Sequence, residues 1–558
     1  MQRTFILIII SVLSGFWYTG GTMAQENDQK EYSFSKDDIS GAEQLFGLNF
    51  TESERDLMMD ELQSNLDSYK KLMELQLSND VAPALVFNPI PAGMTFSNEQ
   101  KPVEFSKPGQ VKMPEKIEDL AFYTVRELAE LIKSRQVTSV QLTKMYLNRL
   151  KKYDDSLHCV ITLTEDLALE QARQADAEIA EGKYRGLLHG IPYGIKDLFA
   201  VKGYKTTWGA MPYKNQTIDE NATVVTKLQD AGAVLLGKLT LGALAWGDVW
   251  YGGKTRNPWN LEQGSSGSSA GPAAATAAGL VPFTIGTETY GSIVSPSTRC
   301  GTTGLRPTFG RVSRDGAMAL SWSMDKIGPI ARSVEDAAIV FQAIYGPDGK
   351  DKSVVDLPFN YTPNVDLSAL KVGYTKALFD KDYSNKENDQ ATLDKLKELG
   401  ADLVPIELPD FPVESLNLIL SAEAGAAFQE LTLTNRDDEM VRQIKNAWPN
   451  VFRAANLIPA VEYIQANRAR TILINKTAEL MQTVDLYVAP SFGGYDLLMT
   501  NLTGNPTVVV PNGFNEEDSP TSISFIGQLY DEGTILAVAK KYQDATNFDE
   551  QHPEMFLP

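Results

Sequence analysis

Two segments rich in small residues carry the side chains that could cleave an acyl bond. Gln263 to Pro272 is rich in glycine and serine, an alanine-rich stretch follows, and Ser292 comes directly after Gly291. A serine in a glycine-containing turn can be exposed to a substrate, and nearby backbone N–H groups can converge on the oxyanion of a tetrahedral intermediate. A serine hydroxyl also needs a base, and a desolvated lysine in its neutral form could act as one.

Other interpretations of the glycine–serine segment compete with catalysis. It could be a flexible linker, although the stretch from Ala273 to Leu280 after it is apolar and mostly helix-forming. It could be a phosphate-binding loop, but no Gly-Lys-Ser/Thr sequence follows, so the P-loop pattern is absent. The chain has three histidines, which are His158, His189 and His552. That number excludes neither a Ser–His–Asp triad nor a zinc site, but none of them has a metal-type spacing.

The two segments that carry this chemistry resemble motifs of the amidase signature family. The run from Gly267 to Gly310 is similar to the family's glycine–serine run, alanine-rich helix and second glycine–serine turn. Upstream, Leu188 to Asp197 resembles the lysine motif of the family. Shorter segments occur in family order and extend the resemblance over most of residues 116–545. The resemblance implies an α/β fold and hydrolysis of carboxamide C–N bonds, without a cofactor or a metal.

The resemblance also implies a role for each site residue. Ser292 would be the nucleophile, and Lys196 the base in its neutral form. Ser268 would bridge them across a non-proline cis peptide bond. Ser268 is assigned this role because it lies 24 residues before Ser292, as the family pattern requires. Ser265 would need an insertion of three residues. The backbone N–H groups of four residues are the oxyanion-hole candidates: Thr289, Tyr290, Gly291 and Ser292.

Each of the three side chains has a simpler interpretation when taken alone. Lys196 could be a surface lysine beside Asp197, Ser268 could be a helix N-cap, and Ser292 could be a turn residue. The occurrence of all the motifs together, in family order, favours the catalytic interpretation.

The sequence departs from the family pattern close to the nucleophile. Glu288 stands where the family usually has aspartate, and Tyr290 where it usually has glycine. Many members carry an arginine two or three residues after the nucleophile, and some use it to hold a substrate carboxylate. Val294 and Ser295 occupy those positions. We therefore expect a small-molecule or peptide amide as substrate, with dicarboxylic half-amides less favoured.

The first 24 residues are typical of a signal peptide. Arg3 supplies a positive charge, Phe5 to Tyr18 is a nearly unbroken apolar run, and Thr22-Met23-Ala24 resembles a cleavage signal. The alternative is a membrane anchor, but the run has 14 residues, against the ~20 needed to span a bilayer. We predict an exported protein, periplasmic or secreted, that is cleaved near Ala24 and has no membrane span afterwards.

Charge and cysteine content restrict the partners. The formal net charge of −21 makes nucleic-acid binding improbable, because an acidic surface repels phosphate backbones. The two cysteines, Cys159 and Cys300, have no metal-type spacing and are expected to be buried free thiols. They could also pair in an oxidising compartment.

The elements that must position the site are expected to form one α/β domain over residues 116–558. Helical patterns alternate there with short apolar runs, which indicates an α/β fold. The family resemblance implies a mixed sheet covered by helices on both faces. Residues 25–115 are predicted to be an N-terminal helical extension and linker, with helix over 39–77 and a proline-rich linker or surface wrap over 83–115. A capping box at Thr51 and Glu54 supports the helix. The extension could support a homodimer.

Three functions remain open from the sequence. The first is an exported amidase. The second is the amidase subunit of a tRNA-dependent amidotransferase, which shares the same signature. The third is a catalytically silent binding protein that keeps the fold.

Overall fold

The computed structural model describes residues 32–558, which divide into two compact units, one ending at Gln76 and the other spanning Leu77–Pro558. The predicted signal peptide lies outside the described residues. In the first unit, α1 (Lys36–Phe46) and α2 (Glu52–Met73) both begin with a capping box, as predicted at Thr51 and Glu54. The region predicted as helical over 39–77 is thus two helices. Gly47 separates them because it ends α1 in a left-handed conformation, with φ of 67°.

The helices of the second unit connect and cover its strands. Their bounds are α3 (Val125–Lys133), α4 (Ser139–Leu157), α5 (Glu165–Ala180), α6 (Thr223–Asp230), α7 (Ala270–Ala277), α8 (Val294–Cys300), α9 (Val334–Ile344), α10 (Lys376–Phe379), α11 (Lys386–Glu398), α12 (Leu418–Ala427), α13 (Gln429–Leu433), α14 (Trp448–Ala455), α15 (Ala460–Met481), α16 (Asp496–Thr503) and α17 (Glu532–Gln543).

The strands of the second unit form one large sheet and two short hairpins. Their bounds are β1 (Val160–Leu163), β2 (Pro192–Lys196), β3 (Val234–Leu239), β4 (Val249–Trp250), β5 (Gly253–Lys254), β6 (Arg256–Asn257), β7 (Asn260–Gly264), β8 (Phe283–Glu288), β9 (Thr303–Arg306), β10 (Lys326–Ala331), β11 (Lys371–Thr375), β12 (Asp402–Ile406), β13 (Leu486–Pro490), β14 (Thr507–Phe514) and β15 (Pro520–Gly527).

The large sheet is mixed, as the family resemblance implies. Its eleven strands run in the order β1-β3-β2-β8-β10-β9-β14-β15-β13-β11-β12. The pairs β2–β3, β2–β8, β11–β12 and β11–β13 are parallel, and the other pairs are antiparallel. Helices cover both faces, so the predicted fold class is confirmed.

The segment before residue 116 is divided differently from the prediction. The compact second unit begins at Leu77 and so includes the proline-rich stretch. That stretch lies along the unit as a wrap rather than a linker: Glu104 N–H donates to the Tyr361 carbonyl at 3.0 Å, and Ser106 N–H donates to Glu335 Oε1 at 2.7 Å. Proline content alone does not distinguish a linker from a wrap, because proline disfavours helix and interior strand in both.

The centre of the sheet brings the predicted motifs together. Strand β2 ends at Lys196 and lies between β3 and β8, and β8 ends at Glu288, just before the predicted oxyanion segment. Helix α7 is the alanine-rich stretch, and all of its residues are buried. Its small side chains allow close approach: a Cβ on Gly271 would lie 2.5 Å from the Cys159 carbonyl oxygen. In the glycine–serine segment before α7, Ser265, Ser268 and Ser269 are fully buried, so the linker interpretation of that segment is wrong.

Two further expectations concern thiols and membranes. Cys159 and Cys300 are both buried and free, as expected. Within residues 32–558, no helix combines the length and the apolar character that a membrane span requires.

Candidate active site

Lys196 lies at the end of β2 and is completely buried. Its Nζ is 2.8 Å from Ser268 Oγ, 3.1 Å from Ser269 Oγ and 2.8 Å from Thr287 Oγ1. The alternative of a surface lysine beside Asp197 is therefore wrong. The Asp197 carboxylate instead pairs with the buried Lys238, whose Nζ lies 2.8 Å from Asp197 Oδ1.

Burial controls the protonation of Lys196. Removal from water holds the pKa of its amine well below the usual 10.5, although the carboxylates of Asp325 and Glu288 act in the opposite direction. No carboxylate forms an ion pair with Lys196 among the residues that the structure describes. A buried lysine without an ionic partner favours the uncharged amine, which is the form that can accept a proton.

The hydrogen bonds around Lys196 determine where its lone pair can face. An uncharged amine has two N–H donors and one lone pair. Ser269 Oγ donates its hydrogen to the Thr287 carbonyl at 3.1 Å, so it can only accept from Lys196. If the second N–H goes to Thr287 Oγ1, the lone pair is left for the hydroxyl of Ser268. Neutral Lys196 would then accept a hydrogen bond from Ser268, which is the direction a base needs.

A backbone hydrogen bond joins the segments that carry Ser268 and Ser292. The Gly267–Ser268 peptide bond is cis, as the family resemblance implies. Ser269 N–H donates to the Ser292 carbonyl at 3.2 Å. Ser268 is fully buried, whereas 8% of the Ser292 surface is exposed. Among the described residues, no hydrogen bond joins the two hydroxyls, so the predicted relay is formed on its lysine side and open on its nucleophile side.

The predicted oxyanion segment has free donors. Within the described part of the chain, the N–H groups of Thr289, Tyr290, Gly291 and Ser292 make no hydrogen bond, while the N–H of Ile293 donates to Glu288 Oε2. Gly291 has φ of 80°, a left-handed value that glycine adopts at little cost. Successive free N–H groups around such a residue form an anion-binding concavity.

The Glu288 carboxylate holds the oxyanion segment in place through the backbone N–H groups that directly follow it. Its Oε2 accepts the N–H groups of Ile293 and Val294 at 2.8 and 2.9 Å, and its Oε1 accepts from Arg306 Nη1 at 2.9 Å and Asn501 Nδ2 at 2.8 Å. Burial alone would raise the pKa of this carboxyl, but Arg306, the Val294 N–H and Asn501 lower it to about 2. Glu288 is therefore an ionised anchor of the loop.

Asp325 holds the other side of the same segment. It accepts the hydroxyl of Thr289 at 2.6 Å and the N–H groups of Leu320 and Ser321 at 2.8 and 3.0 Å. Burial raises the pKa of Asp325, and these three donors lower it in part. The loop is thus held by two carboxylates: Glu288, which is fully buried at the end of β8, and Asp325, which is partly buried just before β10.

The sequence reasoning missed several contributors. Ser269, Thr287, Arg306 and Asp325 contact Lys196 or the oxyanion segment, yet the sequence gives only their types and not these contacts. Ser269 and Thr287 sit inside the motifs already noted, which is the one signal that could have identified them.

Histidine and metal chemistry receive no support from the described residues. The structure places His189 among Arg185 and Glu178, and stacks His552 on Phe122 with ring centroids 4.0 Å apart. Between residues 32 and 558, no group of three or more His, Cys, Asp or Glu side chains is placed to hold a metal ion.

Comparisons with known proteins agree with this geometry. The family model named Amidase matches residues 141–496. The chain is 34% identical over 485 residues to a glutamyl-tRNA(Gln) amidotransferase subunit from Acinetobacter baylyi, a match covering 78% of this chain and 98% of that protein. The corresponding protein from Coxiella burnetii is 31% identical, covering 77% of this chain and 99% of that protein.

Solved structures of amidases are also similar. Peptide amidase from Stenotrophomonas maltophilia is 30% identical, with a TM-score of 0.69 over 77% of this chain and 98% of that one. A bacterial aryl acylamidase, at 22% identity and a TM-score of 0.70, shares the fold over 77% of this chain and 97% of its own. The match to the family model and the near-complete coverage of these relatives show that the chain belongs to the amidase signature family.

Proposed function

We propose that this protein hydrolyses carboxamide C–N bonds through an acyl-enzyme on Ser292. The observation that carries the proposal is the buried Lys196, whose Nζ lies 2.8 Å from Ser268 Oγ and makes no ion pair within the described residues. An uncharged lysine in contact with a hydroxyl is a base, and the segment before the nucleophile supplies free N–H donors.

The reaction follows from these positions. Substrate binding would close the gap between the hydroxyls of Ser292 and Ser268. Ser292 loses its proton to Ser268 as Ser268 passes its own to Lys196, and Ser292 Oγ attacks the amide carbon. The free N–H groups from Thr289 to Ser292 bind the oxyanion. The C–N bond then breaks while Lys196 returns the proton through Ser268 to the leaving amine. Water releases the acid from Ser292 by the same relay.

A second candidate is the amidase subunit of a tRNA-dependent amidotransferase. The curated relatives at 31–34% identity carry that name, so they favour this candidate over a free-standing hydrolase. The peptide amidase at 30% identity supports the hydrolase. The net charge of −21 disfavours contact with a tRNA. Val294 and Ser295 at the arginine positions disfavour a substrate that carries a carboxylate, as glutamine does.

Labelling with a fluorophosphonate tests the shared chemistry. The purified protein is expected to be labelled at Ser292, and Ser292→Ala is expected to lose the label. Ser295→Ala is the matched control, because its hydroxyl lies only three residues further on, in α8, but bonds to Ser266 Oγ at 2.7 Å. Absence of labelling in the unaltered protein would favour the silent binding protein.

Ammonia release distinguishes the two enzymes. The isolated chain is expected to release ammonia from a C-terminal peptide amide faster than from glutamine. If it releases ammonia only from glutamine, and only when another protein of the amidotransferase is added, the amidotransferase candidate is correct.

Export remains a separate proposal. Arg3, the apolar run from Phe5 to Tyr18 and the small residues up to Ala24 support it. Expression of the full chain with N-terminal sequencing of the product tests it: we expect a mature chain that begins near Gln25 and is found outside the cytoplasm. An uncleaved product that stays in the cytoplasm would contradict export.

A further inference from the structure

Tyr290 is an exposed aromatic side chain beside the nucleophile. It lies two residues before Ser292, inside the segment of free N–H groups, and 40% of its surface is exposed. Large apolar side chains that remain exposed at a functional site are candidates for contact with a ligand.

Two neighbouring elements are fixed against the same loop. In α16, Leu497 lies so close to the loop that a Cβ on Gly291 would be 3.3 Å from its Cδ2. Asn501 of the same helix donates to Glu288, which anchors the loop. A short 3₁₀ helix, Val413–Asn417, packs against α16.

These two elements bring carboxylates to Tyr290. Glu414 lies on the 3₁₀ helix and is exposed, and Asp496 begins α16 and is 3% exposed. Burial first, and then the charges of Glu414 and Asp496, raise the pKa of Tyr290. Geometry places both carboxylates in this neighbourhood: Asp496 directly precedes Leu497, which lies against the loop, and the 3₁₀ helix that carries Glu414 packs on α16.

Asp496 is a buried carboxylate with one oxygen atom that lacks a hydrogen-bond partner in the part of the chain that the structure describes. Its Oδ1 makes no hydrogen bond within the described residues, and burial raises the pKa of this carboxyl to about 7. The backbone N–H groups of Asp496 itself and of Leu497, and then the charges of Arg306 and Lys381, lower that pKa only in part. Arg306 is bound to Glu288, and Lys381 donates to the Gly493 carbonyl. The nearby Tyr487 hydroxyl is likewise unpaired within the described residues, so it does not supply the missing donor.

We propose that Tyr290, Glu414 and Asp496 form a subsite for a positively charged group in the acyl part of the substrate. An aromatic face attracts a cation, and a buried carboxylate with an unpaired oxygen gains from one. The net charge of −21 also draws cationic substrates toward the protein. The inference rests on the proposed amidase function and narrows its substrates to amides that carry an ammonium or guanidinium group.

A matched pair of ligands tests the charge preference. Nα-benzoyl-L-arginine amide and Nα-benzoyl-L-citrulline amide have nearly the same shape, but only the first is charged. The first measurement is the concentration of each that halves the rate at which a fluorophosphonate labels Ser292, which requires no turnover. The second is kcat/KM for ammonia release. We expect the arginine compound to be favoured by about tenfold in both, and less so at high salt because ions screen exposed charges.

Variants identify the residues responsible. Glu414→Gln changes an exposed side chain and is expected to reduce the preference to about threefold, while Tyr290→Leu removes the ring and is expected to reduce it similarly. Glu387→Gln is the matched control, since Glu387 is also exposed but lies in α11. It should leave the preference unchanged.

The outcomes separate this inference from the function on which it rests. Equal protection by both compounds, no protection by either, or an unchanged preference in both Glu414→Gln and Tyr290→Leu would overturn the subsite while leaving the amidase chemistry intact. Loss of Ser292 labelling in the unaltered protein would overturn the proposed function itself.

Discussion

Replacing Glu288 by glutamine is expected to destabilise the protein by about 3 kcal/mol at pH 7. The carboxylate accepts four hydrogen bonds, two from backbone N–H groups of the oxyanion loop and two from Arg306 and Asn501. A glutamine side chain has one acceptor oxygen and one NH₂ group, so it must present a donor either to the loop or to Arg306. In either case the buried guanidinium of Arg306 is left without its counter-charge.

The magnitude follows from the pKa of the carboxyl. A value of about 2 in place of the usual 4.5 corresponds to about 3 kcal/mol, because one pKa unit is worth about 1.4 kcal/mol. Since the folded-state pKa is lowered, this stability is fully present above pH 4.5 and is lost as the pH falls toward 2. At pH 3 roughly half, about 1.4 kcal/mol, should remain.

Urea unfolding of both proteins at pH 7 and pH 3 measures this difference, and the rate of fluorophosphonate labelling measures its effect on the site. We expect labelling of Glu288→Gln to slow by at least about tenfold, since the oxyanion donors lose their anchor. Glu532→Gln is the matched control: Glu532 is a buried partner of Arg311, 3.1 Å from its Nε, and accepts the Thr308 N–H at 2.9 Å. It should lose similar stability and keep its labelling rate. An unfolding free energy equal to that of the unaltered protein, or equal slowing in Glu532→Gln, would refute the reasoning.

Four other predictions concern Lys196, its neighbour Ser269, and Lys238. Lys196→Arg places a permanent charge in a fully buried site with no ionic partner among the described residues, so it is expected to lower kcat/KM by about 10³ and also to lower Tm, measured by ammonia release and thermal unfolding. Because burial lowers the pKa of Lys196 and only its uncharged form is a base, kcat/KM from pH 5 to pH 10 should rise through that pKa and then level off; an acid optimum would contradict the assignment. Ser269→Ala removes an acceptor that orients Lys196, so we expect kcat/KM to fall by about tenfold while Tm is retained; equal activity would show that Thr287 alone orients the amine. Lys238→Met leaves Asp197 buried without its partner, and the free energy of unfolding should fall by about 3 kcal/mol in urea titrations; no change would mean that Asp197 is protonated in the folded protein.

The local pattern was sufficient to predict the family, the mixed sheet and the residues at the centre of the site. The Gly–Ser runs, the alanine-rich stretch and the lysine motif each consist of residues that are neighbours in the chain. They can therefore be recognised in the sequence without knowledge of the fold. Short apolar runs predicted the strands, because a strand covered on both faces of a sheet is buried along nearly its whole length, as β3, β8 and β10 are. The same local signals placed a capping box at Thr51, since a cap depends on residues only three positions apart.

What the tertiary structure decided depends on residues far apart in the chain. Whether Lys196 is exposed or buried is decided by β3 and β8 on either side of β2, so its lowered pKa could not be read from its own motif. The anchoring of the oxyanion loop by Arg306 and Asn501 likewise joins positions separated from Glu288 by 18 and 213 residues. Local sequence determines which side chains are available for chemistry, because their types and spacing are fixed by the chain itself. Only folding determines which charges are desolvated and which are paired, because both depend on long-range contacts.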